Sequence, residues 1–100
     1  MEGQGKFVWI DGRVYEGEWK NSKKQGKGIF SWEDGRKYEG TYENDKREGK
    51  GKYKWVDGKE YIGEFKNDMR HGKGREIKEG KVIREGIWKD DEFVENQKVF

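Results

Sequence analysis

The sequence contains no cysteine, no leucine and no alanine. The first absence removes disulfide frameworks, thiolate zinc sites and a cysteine nucleophile together, and it permits a reducing compartment. The other two remove good helix formers, so helix bundles and coiled coils are not expected. Long apolar runs are missing as well. None approaches the roughly 20 residues of a transmembrane helix, and the first thirty residues carry no apolar core of a secretory leader. Hydrophobic residues make up only 29% of the chain, with Ile, Val and Phe supplying 17, so burial has to be thin.

What the sequence has instead is charge of both signs, glycine and aromatic rings. Lys and Arg number 23 against 21 Asp and Glu, which leaves a net charge of +2 on a chain that is 44% charged. Disordered chains combine few aromatics with a large net charge, whereas this one has 15 aromatics in 100 residues. The length suits one small folded domain.

A 23-residue period runs through almost the whole chain. Tyr15, Tyr38 and Tyr61 keep it, as do Gly17, Gly40, Gly63 and Gly86, and the column Trp19, Tyr42, Phe65, Trp88. The second half of the unit repeats in the columns Gly3, Gly26, Gly49, Gly72 and Gly5, Gly28, Gly51, Gly74, followed by Phe7, Phe30, Tyr53 and by Trp9, Trp32, Trp55. Gly12, Gly35 and Gly58 close it.

Within a unit, Tyr15-Glu16-Gly17-Glu18-Trp19-Lys20 and Gly26-Lys27-Gly28-Ile29-Phe30-Ser31-Trp32 alternate rings and glycines with other residues. Period two means strands. A polar stretch from Asn21 to Gln25 separates them, and Asp34-Gly35 suits the left-handed turn of a tight hairpin. The expected fold is all-β: an elongated single-layer antiparallel sheet of 23-residue hairpin repeats, with rings and glycines on one face and Glu, Lys and a few Ile or Thr on the other. Keeping ring-face residues opposite one another requires an odd register. The pairing expected is Tyr15 with Phe30, Trp19 with Gly26, Glu18 with Lys27, and by the same rule Glu64 with Lys73 as a cross-strand charge pair. A single layer leaves its aromatic face partly open, and such a surface marks a contact.

Tyr-x-Gly-x-Trp, a polar turn, Gly-x-Gly, an aromatic pair and Asp-Gly resemble the MORN repeat, the membrane occupation and recognition nexus. Tyr15 to Asn21 with Gly26-Lys27-Gly28, Tyr38 to Tyr42 with Gly49-Lys50-Gly51, and Tyr61 to Phe65 with Gly72-Lys73-Gly74 carry the likeness. It covers roughly residues 3 to 94. The organisation expected is an array over 1–94, with a half-repeat at 3–14, repeats at 15–37, 38–60 and 61–81, a C-terminal cap at 82–94, and a tail at 95–100. Because the chain begins inside a unit, it is either an excerpt of a longer array or has a half-repeat exposed as an edge. After Gly74 the pattern loosens: Glu76 stands in the Phe30 column, Lys78 in the Trp32 column, Arg84 in the Tyr15 column, and Gly80 arrives one residue early.

Catalysis has little to stand on. His71 is alone, Ser22, Ser31 and Thr41 have no histidine within their own unit, and the acidic residues recur with the repeat facing Lys. Gly26-Lys27-Gly28 is not a phosphate loop, since no Gly-x-x-x-x-Gly-Lys-Ser/Thr leads into a helix. No enzyme activity, catalytic residue, metal or cofactor is expected.

The resemblance implies a cytoplasmic scaffold that docks a protein partner, a helix or another scaffold subunit, in a cytoskeletal or ciliary assembly. The contact set expected on the aromatic face is Tyr15, Trp19, Phe30, Trp32, Tyr38, Tyr42, Tyr53, Trp55, Tyr61 and Phe65. A second surface is a basic edge of Lys24, Arg47 and Arg70 beside Lys27, Lys50 and Lys73, its members roughly 10 Å apart, suited to acidic lipid head groups or an acidic partner. Nucleic acid is not expected, because rings on one face and cations on the other make no stacking groove. Two alternatives stand beside the scaffold, a membrane-tethering module and the regulatory arm of a larger enzyme, and open strand edges allow self-association.

Overall fold

The computed structural model describes residues 2–96, which form a single nine-stranded sheet in chain order with every neighbouring pair antiparallel. Its strands are β1 (Gly3–Val8), β2 (Val14–Lys20), β3 (Lys23–Ser31), β4 (Lys37–Glu43), β5 (Lys46–Lys54), β6 (Glu60–Lys66), β7 (Met69–Lys78), β8 (Lys81–Lys89) and β9 (Glu92–Asn96). The molecule measures 48 × 25 × 18 Å, so the expected elongated all-β sheet is what the chain forms.

Two kinds of turn alternate. Asn21-Ser22, Asn44-Asp45, Asn67-Asp68 and Asp90-Asp91 each place both residues at positive φ, between 48° and 70°, the conformation of a two-residue type I′ hairpin. The polar stretch is therefore shorter than the sequence suggested: Lys23, Lys24 and Gln25 already belong to β3. At the other end of the hairpins, Trp32 N–H donates to the Arg36 carbonyl at 2.9 Å and Gly35 N–H to the Trp32 carbonyl at 3.1 Å. This three-residue loop needs a left-handed residue at its end, and Gly35 supplies it with φ 104°. The early Gly80 shortens the corresponding loop to Glu79-Gly80, and a bulge between Glu76 and Ile77 takes up the difference.

Tyr15 pairs with Phe30 as expected, but Trp19 faces Lys24 rather than Gly26. Gly26 sits at φ 75° and lets the strand bulge. The Glu18 carboxylate then turns to the Lys27 backbone N–H, 2.6 Å away, in place of a side-chain pair. The third unit repeats this correction: Phe65 faces Arg70, and Glu64 accepts the Lys73 N–H at 2.8 Å.

The core is made of rings lying over glycines. Gly17 pairs with Gly28, Gly40 with Gly51 and Gly63 with Gly74. Across each pair lies the tyrosine of the even strand, its hydroxyl donating to the carbonyl of Glu18, Thr41 or Glu64 at 2.9–3.0 Å. A Cβ on Gly51 would stand 2.6 Å from Tyr38 Cε1, closer than any side chain tolerates. Tyr15, Tyr38 and Tyr61 are fully buried. We expect Gly51→Val to destabilise the chain by about 1–3 kcal/mol through overpacking, a fall of roughly 5–20 °C in thermal midpoint for a domain of this size, measured by circular dichroism.

Candidate functional site

The aromatic face resolves into two ribbons, one reaching from β2 to β9 and the other from β1 to Trp55, just past the end of β5. In the first, Trp19, Tyr15, Tyr42, Tyr38, Phe65, Tyr61, Trp88 and Phe93 meet in succession with centroids 4.9–5.4 Å apart and planes steeply inclined, the edge-to-face arrangement that ring quadrupoles favour. Trp19 and Trp88 also donate their indole N–H groups to the carbonyls of Gly5 and Gly74 at 3.0 and 3.1 Å. In the second, Phe7, Trp9, Phe30, Trp32, Tyr53 and Trp55 zigzag in tilted contacts of 4.5–5.7 Å.

Lys24, Arg47 and Arg70 lie between the ribbons. Lys24 Nζ stands 5.5–5.8 Å from the Tyr15, Phe30 and Tyr42 rings. Arg47 stands 5.3–5.7 Å from Tyr38, Tyr53 and Phe65, and Arg70 stands 4.6–5.9 Å from Trp55, Tyr61 and Trp88. This corrects the separation of cations from rings: because the strand begins immediately after the two-residue turn, these side chains fall on the aromatic face. Lys27, Lys50 and Lys73 are exposed on the opposite face, so the six cations form no single edge.

Each bridging cation is clamped by the turn of the following hairpin. Asp45 accepts the Lys24 N–H at 2.7 Å and its own N–H donates to the Lys24 carbonyl at 3.0 Å. Asp68 and Asp91 hold Arg47 and Arg70 in the same way, and each also meets the Arg Nε, at 3.3 and 3.2 Å. Sequence reasoning missed these carboxylates, which lie 21 positions from their partners with no local pattern to announce them. It also missed what Glu76 does in its ring column. Buried at 4% exposure, it replaces the ring and gathers Arg70 at 3.3 Å, Lys59 at 3.4 Å and Arg84 at 3.7 Å.

Of the ten rings expected as a contact set, the structure buries Tyr15, Trp19, Phe30, Tyr38, Tyr42, Tyr53, Tyr61 and Phe65. Trp32 and Trp55 remain half-buried, and Trp9, one unit before Trp32, joins them. A cation stands over each: Arg13 at 5.1 Å, Arg36 at 4.9 Å and Lys59 at 4.6 Å. Beside Trp55 a shallow recess of about 190 Å³ is lined by Arg47, Tyr53, Phe65, Arg70 and Asp91. The turn tips next to this row carry Ile10 and Val56, both exposed. His71 is half-buried on β7, and among the described residues no three His, Asp or Glu side chains are grouped to hold a metal.

Residues 1–12, 15–35, 38–60 and 61–79 match the family model of the MORN repeat in four consecutive copies. A search of curated proteins found no match.

Removing the Asp68 carboxylate leaves the Arg47 backbone N–H without its partner and the guanidinium, over three rings, with the Asp68 carbonyl but no counter-charge there, so Asp68→Ala is expected to cost about 1–3 kcal/mol, read by urea unfolding. Burial, aided by the charges of Glu18 and Asp45, pushes the Tyr15 hydroxyl up to about 12, and burial pushes Tyr61 up to about 12. Tyr38 and Tyr42 are raised for the same first reason. A raised folded value stabilises fully below the unfolded tyrosine value of about 10 and is lost as pH climbs through the folded one. Stability should therefore fall between about pH 10 and 12, with tyrosinate absorbance and unfolding appearing together.

Proposed function

The chain belongs to the MORN-repeat family, and on that premise we propose that it is a non-enzymatic cytoplasmic scaffold that docks a protein partner, within a cytoskeletal or ciliary assembly. MORN repeats are generally non-enzymatic modules that mediate protein or membrane-lipid interactions. The observation that carries the protein reading is the row of Trp9, Trp32 and Trp55 with Arg13, Arg36 and Lys59 above them. Half-exposed tryptophan beside arginine is the composition of interaction hot spots. Successive members are two strands apart, roughly 10 Å, and a helix with apolar side chains every seventh residue repeats at about 10.5 Å. Such a helix would set one anchor beside each indole. Buried Phe30 and Tyr53 pack between these indoles, and Asp45, Asp68 and Asp91 already neutralise the cations that a lipid surface would need.

The test is a pair of variants in a ciliated cell. Trp32→Ser with Trp55→Ser should abolish recovery of the wild-type partner and its placement on the axoneme or cytoskeleton, while circular dichroism shows the sheet intact. Flotation with anionic liposomes at physiological salt should leave the chain in the pellet fraction. Flotation that Lys24→Glu, Arg47→Glu and Arg70→Glu together remove would instead establish the membrane-tethering role.

A further inference from the structure

We propose that the face of the sheet turned away from the rings is, along β5, a docking track for an extended acidic segment of a partner polypeptide that carries a carboxylate at every second residue. This track lies on the opposite side of the sheet from the tryptophan row and does not depend on it. Three observations meet there: a run of lysines found in no other strand, a lack of counter-charges, and a recess.

Tyr53 is buried on the ring face, so Lys52 and Lys54 flank it on the other face, with Lys50 in line beyond Gly51. The same three columns read Lys27, Ile29 and Ser31 in β3 and Lys73, Arg75 and Ile77 in β7. β4 adds Lys37 directly opposite Lys54. Like charges so placed weaken a sheet, and a shared anion relieves them. Counter-charges stand on the other face: the cations placed over rings there, Lys24, Arg47 and Arg70 among them, each have a carboxylate at 2.9–3.7 Å. Among the described residues, Lys37, Lys50 and Lys54 have no carboxylate within 4.0 Å, and Lys52 has Glu60 at 3.4 Å.

The surface is also shaped. A recess of about 160 Å³ lined by Lys37, Glu39, Lys52, Lys54 and Glu60 continues past Glu39 and Lys52 into an open groove of about 650 Å³ over Gly51 and Gly63. Successive lysines on one face of a strand are about 6.7 Å apart, and an extended chain repeats its own side chains at that spacing. A segment laid along β5 therefore sets one carboxylate beside each of Lys50, Lys52 and Lys54.

Charge selects the occupant. A flat anionic membrane would meet Glu39, Glu60 and Glu64 together with the lysines, whereas a single chain can follow the lysine line between them. Nucleic acid would find no ring to stack a base on, since the rings of the described residues gather on the other face.

The experiment titrates the full isotopically labelled chain with acetyl-Ser-Glu-Ser-Glu-Ser-Glu-Ser-amide at physiological salt, followed by backbone amide NMR. Saturable shifts centred on Lys37, Lys50, Lys52 and Lys54 are expected, with affinity falling as salt rises. A peptide of the same composition with its three glutamates adjacent should bind at least threefold more weakly. Lys52→Ile with Lys54→Ser writes the residues of β3 into β5, so circular dichroism should be unchanged while binding weakens at least fivefold. Where that variant fails to fold, Lys37→Glu decides: β6 has Glu60 in the same column, and the loss should be as large. Lys20→Ser with Lys23→Ser removes as much charge beside a turn and should change binding less than twofold. No saturable binding, shifts centred away from β5, equal affinity for the two peptides, or a Lys52→Ile, Lys54→Ser chain that binds no worse than the Lys20→Ser, Lys23→Ser chain overturns the proposal. So does flotation with anionic liposomes that Lys52→Ile with Lys54→Ser removes, which would assign the track to a membrane.

Discussion

A tyrosine ring can lie flat across a neighbouring strand only where that strand has no side chain beneath it, and this constraint organises the whole molecule. It requires glycine opposite glycine at Gly17 and Gly28 and at the equivalent pairs in the next two units. Removing side chains there brings the rings of successive units close enough to touch edge to face. With the rings lined up in two ribbons, a single sheet buries nine large side chains without any second layer. The tyrosine hydroxyls reach backbone carbonyls, and among the described residues no buried side-chain polar atom lacks a partner. A thin, highly charged sequence can fold this way because the apolar residues it has are large and placed in line.

The period, the strands and the ring-over-glycine face were legible in the sequence because each rests on alternation or on a recurring column. The register was legible from Val14 to Gly17 and not beyond, since alternation carries no record of a glycine that turns left-handed and inserts residues into one strand. Gly26 and Gly72 do that, and Glu18 and Glu64 change role with them. The face of Lys24, Arg47 and Arg70 was hidden for a related reason. Counting Asn21 to Gln25 as one turn removed three strand residues from the alternation, and with them the side on which these cations stand. The aspartate clamps join neighbouring units, where no short-range pattern exists.

Core and surface are separated more sharply than the composition suggested. An aromatic face read as one open surface is in fact an inner ribbon sealed by cations and an outer ribbon from which three indoles emerge. Changes at Trp32 or Trp55 therefore fall on the outer ribbon and leave the ring contacts of the tyrosine ribbon in place. Glu76 marks where the outer ribbon stops: a carboxylate holding three cations takes the place of a ring, and the tryptophan column ends with it at Lys78.

The clamps also decide how the molecule would answer to tension. Strands run across the long axis and each follows its neighbour in the chain, so a pull between the two ends opens hydrogen bonds one after another rather than shearing many at once. Asp45, Asp68 and Asp91 tie every hairpin to the one before it, which makes a whole unit the element that yields. Each release would free 23 residues, roughly 75 Å of extended chain. A sheet built in this way would lengthen unit by unit, while the units still folded keep their aromatic packing.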